Sequence, residues 1–421
     1  MDLNKLIEEN ISKNRITGLT KPKIIKEMLS IPENINLKKL DQIINSCYST
    51  FYIKKNWSKH QETEEEKYIR YLNIHQELSE RIQQLPENAD KTKYRKILVI
   101  NEPWLKVSQK KLNKLLTSIL LTKKEKAKKR ESIVPYLHSS VKQRSYTTNA
   151  QAHIGDKYVF AIDLKDFYPS VTKVKIFNFF KKHFKLPSDI AMIYAVLSTY
   201  KSDNGEYCLG QGLSQSSTLA FLVNYRLFNY LYLEAQKLGI EMTIYVDDVI
   251  FSSSSPIPQK FINRLFGIIK ENKMSIKRRK VYYYGKKQTK KITGIYIKKN
   301  KTSVAYEKHK EIRIQYNYLK EKIKEIKTFS DYLCIYNLYL KFYGNYHHIL
   351  NVEKKINNKI LNFVDKYDEF FPKGIHKKQK QPYSVQNIKT INDVQRLNKC
   401  YQKLKNKNLN EVILDYPNVN L

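Results

Sequence analysis

The sequence predicts an α+β fold built on a mostly antiparallel sheet with helices over one face. Three observations carry that expectation. The middle of the chain runs strand, helices, helix, β-hairpin, helix, strand. Only 11 Gly and 12 Pro interrupt 421 residues, so the elements should be long. Hydrophobic content of 41%, with 12% aromatic, supplies enough core to exclude a disordered chain.

Taken in order, residues 1–50 read as short helices, with Leu3, Leu6 and Ile7 at helical spacing. A strand is expected near Phe51–Ile53, then one charged helix over 59–84 and a polar loop at 86–93. The run YRKILVI at 94–100 is strand-like, and Pro103 stops it. A basic amphipathic helix fits 105–121, followed by the charge run TKKEKAKKR at 122–130, which suits a solvated face as well as a phosphate-contacting one. YVFAIDLKDFYPSV at 158–171 begins as an apolar strand and ends in a turn. Helices are expected over 175–184, 190–200 and, as one long element, 215–238. MTIYVDDVIFSS at 242–253 reads as strand, tight turn, strand, with a helix over 261–273. SIKRRKVYYYG and KITGIYI follow as strands, the chain is mostly helical from about Tyr306, and its last 45 residues look looser. There is no internal repeat.

Charge narrows the function. Lys+Arg number 77 against 40 Asp+Glu, a formal net charge of +37. Such a field repels itself unless a polyanion neutralises it, and nucleic acid is the natural partner. A compositional bias explains a preference for Lys over Arg but not the shortage of acids. Cys47, Cys208, Cys334 and Cys400 are scattered, so neither a zinc site nor a disulfide framework is indicated and a reducing cytoplasm fits. The adjacent His347 and His348 cannot both face one metal from a helix. The first residues lack an apolar signal core, and no stretch has the roughly 18 apolar residues of a membrane span.

Three segments carry chemistry. In YVDD at 245–248 two acids interrupt an apolar run, as the turn of a half-buried hairpin allows. Asp163, in FAIDLKDFYPS, ends an apolar strand, where a carboxylate is costly unless paired or on a metal. Each alone would serve as an ordinary turn or cap. Together, one acid on a strand and two on a hairpin 84 residues later match the two-metal mechanism of phosphoryl transfer. That chemistry needs acids from neighbouring strands, and magnesium accepts few carboxylates plus water and phosphate. Between them lies LGQGLSQSSTLAFLVN at 209–224. Here Gly212 permits close backbone approach, and small polar residues start a helix that a base pair could lie against.

These segments resemble the palm of reverse transcriptases. FAIDLKDFYPSV is similar to motif A, GQGLSQSS to motif B, YVDD to motif C, and SIKRRKVYY to motif D, over about residues 94–300. The resemblance implies a right-hand polymerase: 1–90 as an N-terminal helical region and the start of the fingers with a helical insertion, 91–160 as fingers, 161–300 as palm, and 301–421 as helical thumb and C-terminal region. It implies Asp163, Asp247 and Asp248 as catalytic metal ligands for two Mg²⁺ ions, with Mn²⁺ able to substitute. It implies Tyr168 as an aromatic gate against the ribose 2′-hydroxyl, Gln211 as lining the nucleotide pocket, Lys280 as acid for pyrophosphate and Arg95 as a triphosphate contact. For Arg95 and Lys280 a generic surface cation remains the alternative.

Within reverse transcriptases the chain looks most like retron and defence-associated enzymes. NEPWLKVSQKKL, TTNAQAH at 147–153 and KITGIYI at 291–297 carry that likeness. It implies a structured non-coding RNA as template, its DNA product and deoxynucleotides as partners, an effector protein of an antiviral defence operon, and a cytoplasmic site. Asn149 and His153 would either position RNA or knit fingers to palm. Ser217 stands where motif B usually has Pro, SSVKQRS at 139–145 lacks the usual Gly-Phe, and an insertion occupies about 57–90. Competing readings are a template-independent or protein-primed polymerase of the abortive-infection type, an intron maturase or RNA-copying RNA polymerase, and a non-catalytic RNA-binding module.

Overall fold

The computed structural model describes residues 2–54, 94–121, 131–372 and 391–415. The expected insertion at about 57–90 and the charge run at 122–130 lie outside them. The chain divides into two compact units that part between Thr302 and Ser303.

The first unit opens on helices α1 (Leu3–Ser12), α2 (Pro22–Leu29) and α3 (Leu40–Ser46). Asp2 caps α1 by accepting from the backbone N–H groups of Asn4 and Lys5, and Pro22 starts α2 where a missing N–H costs nothing. Strands β1 (Tyr48–Lys54) and β2 (Tyr94–Ile100) pair antiparallel from Tyr48↔Ile100 to Lys54↔Tyr94. Helix α4 (Pro103–Ile119) begins at the proline that ends β2, and α5 (Tyr146–Gln151) at a Ser145–Thr148 capping box.

The central sheet is antiparallel throughout. Strand β3 (Tyr158–Lys165) is its middle, flanked by β7 (Asp248–Ser253) on one side and by β8 (Ser275–Ile276) and β9 (Tyr282–Tyr284) on the other, with β6 (Glu241–Tyr245) outside β7. Between β3 and β6 come helices α6 (Lys173–His183) and α7 (Ser188–Ser198), the short hairpin β4 (Thr199–Lys201) and β5 (Tyr207–Leu209), then α8 (Ser216–Val223) and α9 (Tyr225–Gln236). Helix α10 (Gln259–Glu271) follows β7. Aromatic side chains knit the layers: Phe180 stacks on Tyr194 at 4.9 Å and Phe221 on Phe228 at 5.7 Å, while Phe251 meets Phe261 edge-on at 5.4 Å.

Three elements differ from expectation. The helix expected over 215–238 is two, broken at Asn224, whose side-chain amide donates to the Ala220 carbonyl (2.8 Å) and so competes with the helical ladder. KITGIYI is a hairpin, β10 (Lys290–Ile292) and β11 (Ile295–Lys298), because Thr293 and Gly294 take φ +46° and +84° and turn the chain. SIKRRKVYYYG is not one strand: a 3₁₀ turn over Arg278–Lys280 separates β8 from β9.

The second unit is helical: α11 (Tyr306–Lys322), α12 (Phe329–Glu353), α13 (Asn358–Tyr367) and α14 (Ile391–Asp415). The last of these is a helix within the 45 residues expected to look looser, of which 377–390 and 416–421 lie outside the described residues. Thr328 and Asp331 cap α12 reciprocally. Its core is unusually rich in tyrosine, and the hydroxyls find carbonyls: Tyr332 donates to Phe370 (2.8 Å), Tyr336 to Pro372 (2.9 Å) and Tyr401 to Lys327 (2.6 Å).

Candidate active site

Antiparallel pairing of β3 with β7 puts Asp163 directly opposite Asp248. One step further, the Leu164 N–H donates to the Asp247 carbonyl (2.9 Å). Acids far apart in sequence thus meet at one end of the sheet. Tyr245 pairs with Asp248, leaving Val246 and Asp247 as a two-residue turn. Val246 takes φ +59° at the first turn position. Type II′ geometry favours glycine there, and a β-branched side chain is strained. The buried Ser139 hydroxyl accepts the Val246 N–H (3.1 Å). Ser139 is brought there by the preceding segment, which runs beside β6: the Ile244 N–H donates to Tyr136 and the His138 N–H to Ile244, both at 2.8 Å.

The electrostatics follow from the same placement. Asp163 is only 3% exposed. Its two carboxylate oxygens accept from the ammonium groups of Lys277 and Lys280, and Lys277 also lies 3.5 Å from Asp247. Burial, then the charges of Asp247 and Asp163, push the Asp248 carboxyl up to about 6, against the pull of Lys280 and Lys277. Burial works against the Lys280 ammonium, but its bond to Asp163 and the three acids raise it overall. Among the described residues no three His, Cys, Asp or Glu side chains are gathered as a ready metal cluster, and the Asp163 oxygens accept from lysines. The donor set itself suits a hard divalent cation: three carboxylates brought to one end of the sheet by the β3–β7 pairing and the turn before β7.

Five residues after Asp163, the turn after β3 carries Tyr168, half-buried, with its hydroxyl 2.7 Å from the Ser217 hydroxyl at the start of α8. Gln211 and Gly212 form the loop before α8. Leu98 of β2 donates its N–H to the Gln211 carbonyl (3.1 Å). Gly212 has φ +105°, and an added Cβ would stand 2.7 Å from the Leu98 carbonyl oxygen, so only glycine lets the loop dock on β2. Gln211 itself is half-buried.

Arg95 lies on β2 opposite Ile53. His153 and Asn149 are fully buried. His153 bridges the hydroxyls of Thr243 on β6 and Ser252 on β7, both at 2.7 Å. Neither side chain could touch RNA without first becoming exposed. Burial, with the nearby Lys157 and His138 charges, lowers the His153 pKa to about 3. Sequence reasoning missed Lys277, Ser139 and the role of Ser217. Lys277 was within reach, three residues before Lys280 in the same basic run. The two serines had no signal beyond standing at departures from the motif pattern.

With this geometry in place, the comparisons define the class. A reverse transcriptase (RNA-dependent DNA polymerase) family model matches residues 86–311, more than half of the chain, and the protein belongs to that family. Its similarity to retron enzymes is specific. Retron Ec86 reverse transcriptase of Escherichia coli is 28% identical over 250 residues, 57% of this chain and 70% of that protein. Retron Se72 reverse transcriptase of Salmonella heidelberg (strain 579083-10) is 26% identical over 185 residues, 42% of this chain and 48% of that one. A solved Candida albicans telomerase, in complex with a fragment of telomeric RNA, aligns with TM-score 0.32 and 10% identity over 66% of this chain and 52% of its own.

Proposed function

We propose that the chain copies an RNA template into DNA at the cluster of Asp163, Asp247 and Asp248. The observation that carries this reading is the direct pairing of Asp163 with Asp248 across β3 and β7, inside a reverse transcriptase family match. Reverse transcriptases in general use divalent metal ions, and the all-carboxylate donor set favours Mg²⁺, with Mn²⁺ as substitute. The three aspartates would hold the ions, which when bound would lower the pKa of the primer 3′-hydroxyl and neutralise the leaving pyrophosphate.

The other residues take roles around that centre. Tyr168 faces the sugar and excludes a 2′-hydroxyl, Gln211 lines the nucleotide pocket, and Arg95 meets the triphosphate. Lys280, protonated beside Asp163, gives a proton to pyrophosphate. We read the first unit as fingers and palm and the second as thumb. From the similarity to retron enzymes we extend the reading to a structured non-coding RNA as template and to an effector partner in antiviral defence. The net charge of +37 suits such a polyanion.

The test is purification with co-purifying nucleic acid, followed by addition of Mg²⁺ and labelled deoxynucleotides, with Asp247→Ala/Asp248→Ala alongside. The double variant should lose synthesis by at least about a thousandfold, since the centre supplies several kcal/mol. DNA complementary to a bound RNA supports the reading. Product without matching RNA, or product that stays on protein after ribonuclease, replaces it with template-independent or protein-primed synthesis. RNA binding with no synthesis by either protein leaves a binding module.

A further inference from the structure

Three consecutive hydroxyls open helix α8, and each reaches a different part of the first unit. Ser216 donates to the Gly210 carbonyl (2.5 Å), closing the loop that carries Gln211 and Gly212. Thr218 donates to the Asn113 side chain on α4 (2.8 Å). Ser217, between them, meets the Tyr168 hydroxyl at 2.7 Å. The Ser216 and Thr218 bonds fix the helix start to its surroundings. The Ser217 contact joins that fixed point to the tip of one aromatic side chain.

Tyr168 is also held at its base. It sits in a tight turn in which the Ser170 N–H donates to Asp166 (2.8 Å) and the Val171 N–H to Tyr168 (3.0 Å). The turn is stapled to β5 by the Leu209 N–H, which donates to Val171 (2.9 Å). Its ring rests against Phe167, with centroids 5.6 Å apart. These contacts fix the backbone and one edge of the ring, while the far end is anchored through Ser217.

From this arrangement we infer that Ser217 is a positioning residue for sugar selection, its hydroxyl holding the Tyr168 ring where a ribonucleotide 2′-hydroxyl would lie. The inference rests on the polymerase reading and on Tyr168 as the gate. Its physical basis is simple. A steric gate discriminates only up to the free energy needed to push it aside. A ring bonded to an anchored helix costs more to displace than one held at its base alone. The substrates being separated are 2′-deoxynucleoside and ribonucleoside triphosphates.

The experiment measures kcat and KM for a deoxynucleotide and its ribonucleotide counterpart with the full chain on one primed RNA template. Ser217→Ala should lower the ratio of the two kcat/KM values roughly fivefold, the worth of one hydrogen bond. The change should come mainly from better use of the ribonucleotide. Tyr168→Phe, which keeps the ring and removes the same bond, should match it, and the double variant should show no further loss. Ser217→Thr should restore the ratio. A ratio unchanged in both single variants, or an equal fall for both nucleotides, overturns the inference while leaving the polymerase reading intact. If Ser217→Ala does not fold, Tyr168→Phe alone decides between these outcomes. Absence of synthesis by the wild type overturns the polymerase reading, and the inference with it.

Discussion

Asp163 and His153 are both buried at the central sheet, yet they solve burial in opposite ways. Asp163 keeps its charge company with Lys277 and Lys280. Among the described residues the His153 ring meets hydroxyls, those of Thr243 and Ser252, and burial holds it neutral with its pKa lowered to about 3. A histidine neutral in the folded protein takes up a proton on unfolding wherever pH is below its ordinary value of about 6.5. Its contribution to stability is therefore intact above that pH and is lost progressively as pH falls from about 6.5 toward 3. Urea unfolding at several pH values should show a steeper loss for wild type than for His153→Gln, by up to about 1.4 kcal/mol per pH unit. His138, also lowered, to about 4, is present in both proteins and cancels. Equal slopes would mean that His153 is not buried and neutral in solution.

At the scale of elements, the loop before α8 depends on β2 as much as on its own helix. Gly212→Ala sets a Cβ 2.7 Å from the Leu98 carbonyl at φ +105°, which should cost about 1–3 kcal/mol. Hydrogen exchange should show β2 amides, Leu98 first, losing protection, and KM for deoxynucleotides should rise with undocking of Gln211. Unchanged protection would separate the loop from the strand. The elements that pair acids were legible in the sequence, because an apolar run cut by YVDD has few solutions other than a hairpin. What escaped reading depended on single side chains acting across space. Asn224 breaks a helix whose apolar pattern runs straight through it, and Thr293–Gly294 turn a run that alternates like one strand. Asp163 was legible as an acid at a strand end, but its lysine partners were not, since nothing in spacing says where a long flexible ammonium will rest.

For the whole molecule, charge and architecture pull in the same direction. A chain of net charge +37 gains from a polyanion chiefly by releasing counterions, so affinity should be set by salt more than by sequence. Filter binding of a structured RNA should weaken by at least about a thousandfold between 50 and 200 mM salt if six or more phosphates are contacted. A shallow slope would assign recognition to shape and stacking instead. Among the described residues no helix is long and apolar enough to cross a membrane. The second unit's tyrosines show why composition alone misleads here: Tyr332, Tyr336 and Tyr401 spend their hydroxyls on buried carbonyls, so abundance of tyrosine is not abundance of stacking surface.

Val246 has a consequence for how this chain can change. Its strained turn, supported by Ser139, also carries Asp247, so relaxing the backbone and placing that acid are coupled. Glycine or asparagine would relax the backbone there, so a population of variants surviving heat alone would drift toward them. A population selected for copying would keep the valine wherever relaxing the turn displaces Asp247. The second codon of the YVDD run is therefore where the history of selection on this enzyme should be most readable, and where a laboratory lineage would first reveal which demand it had been under.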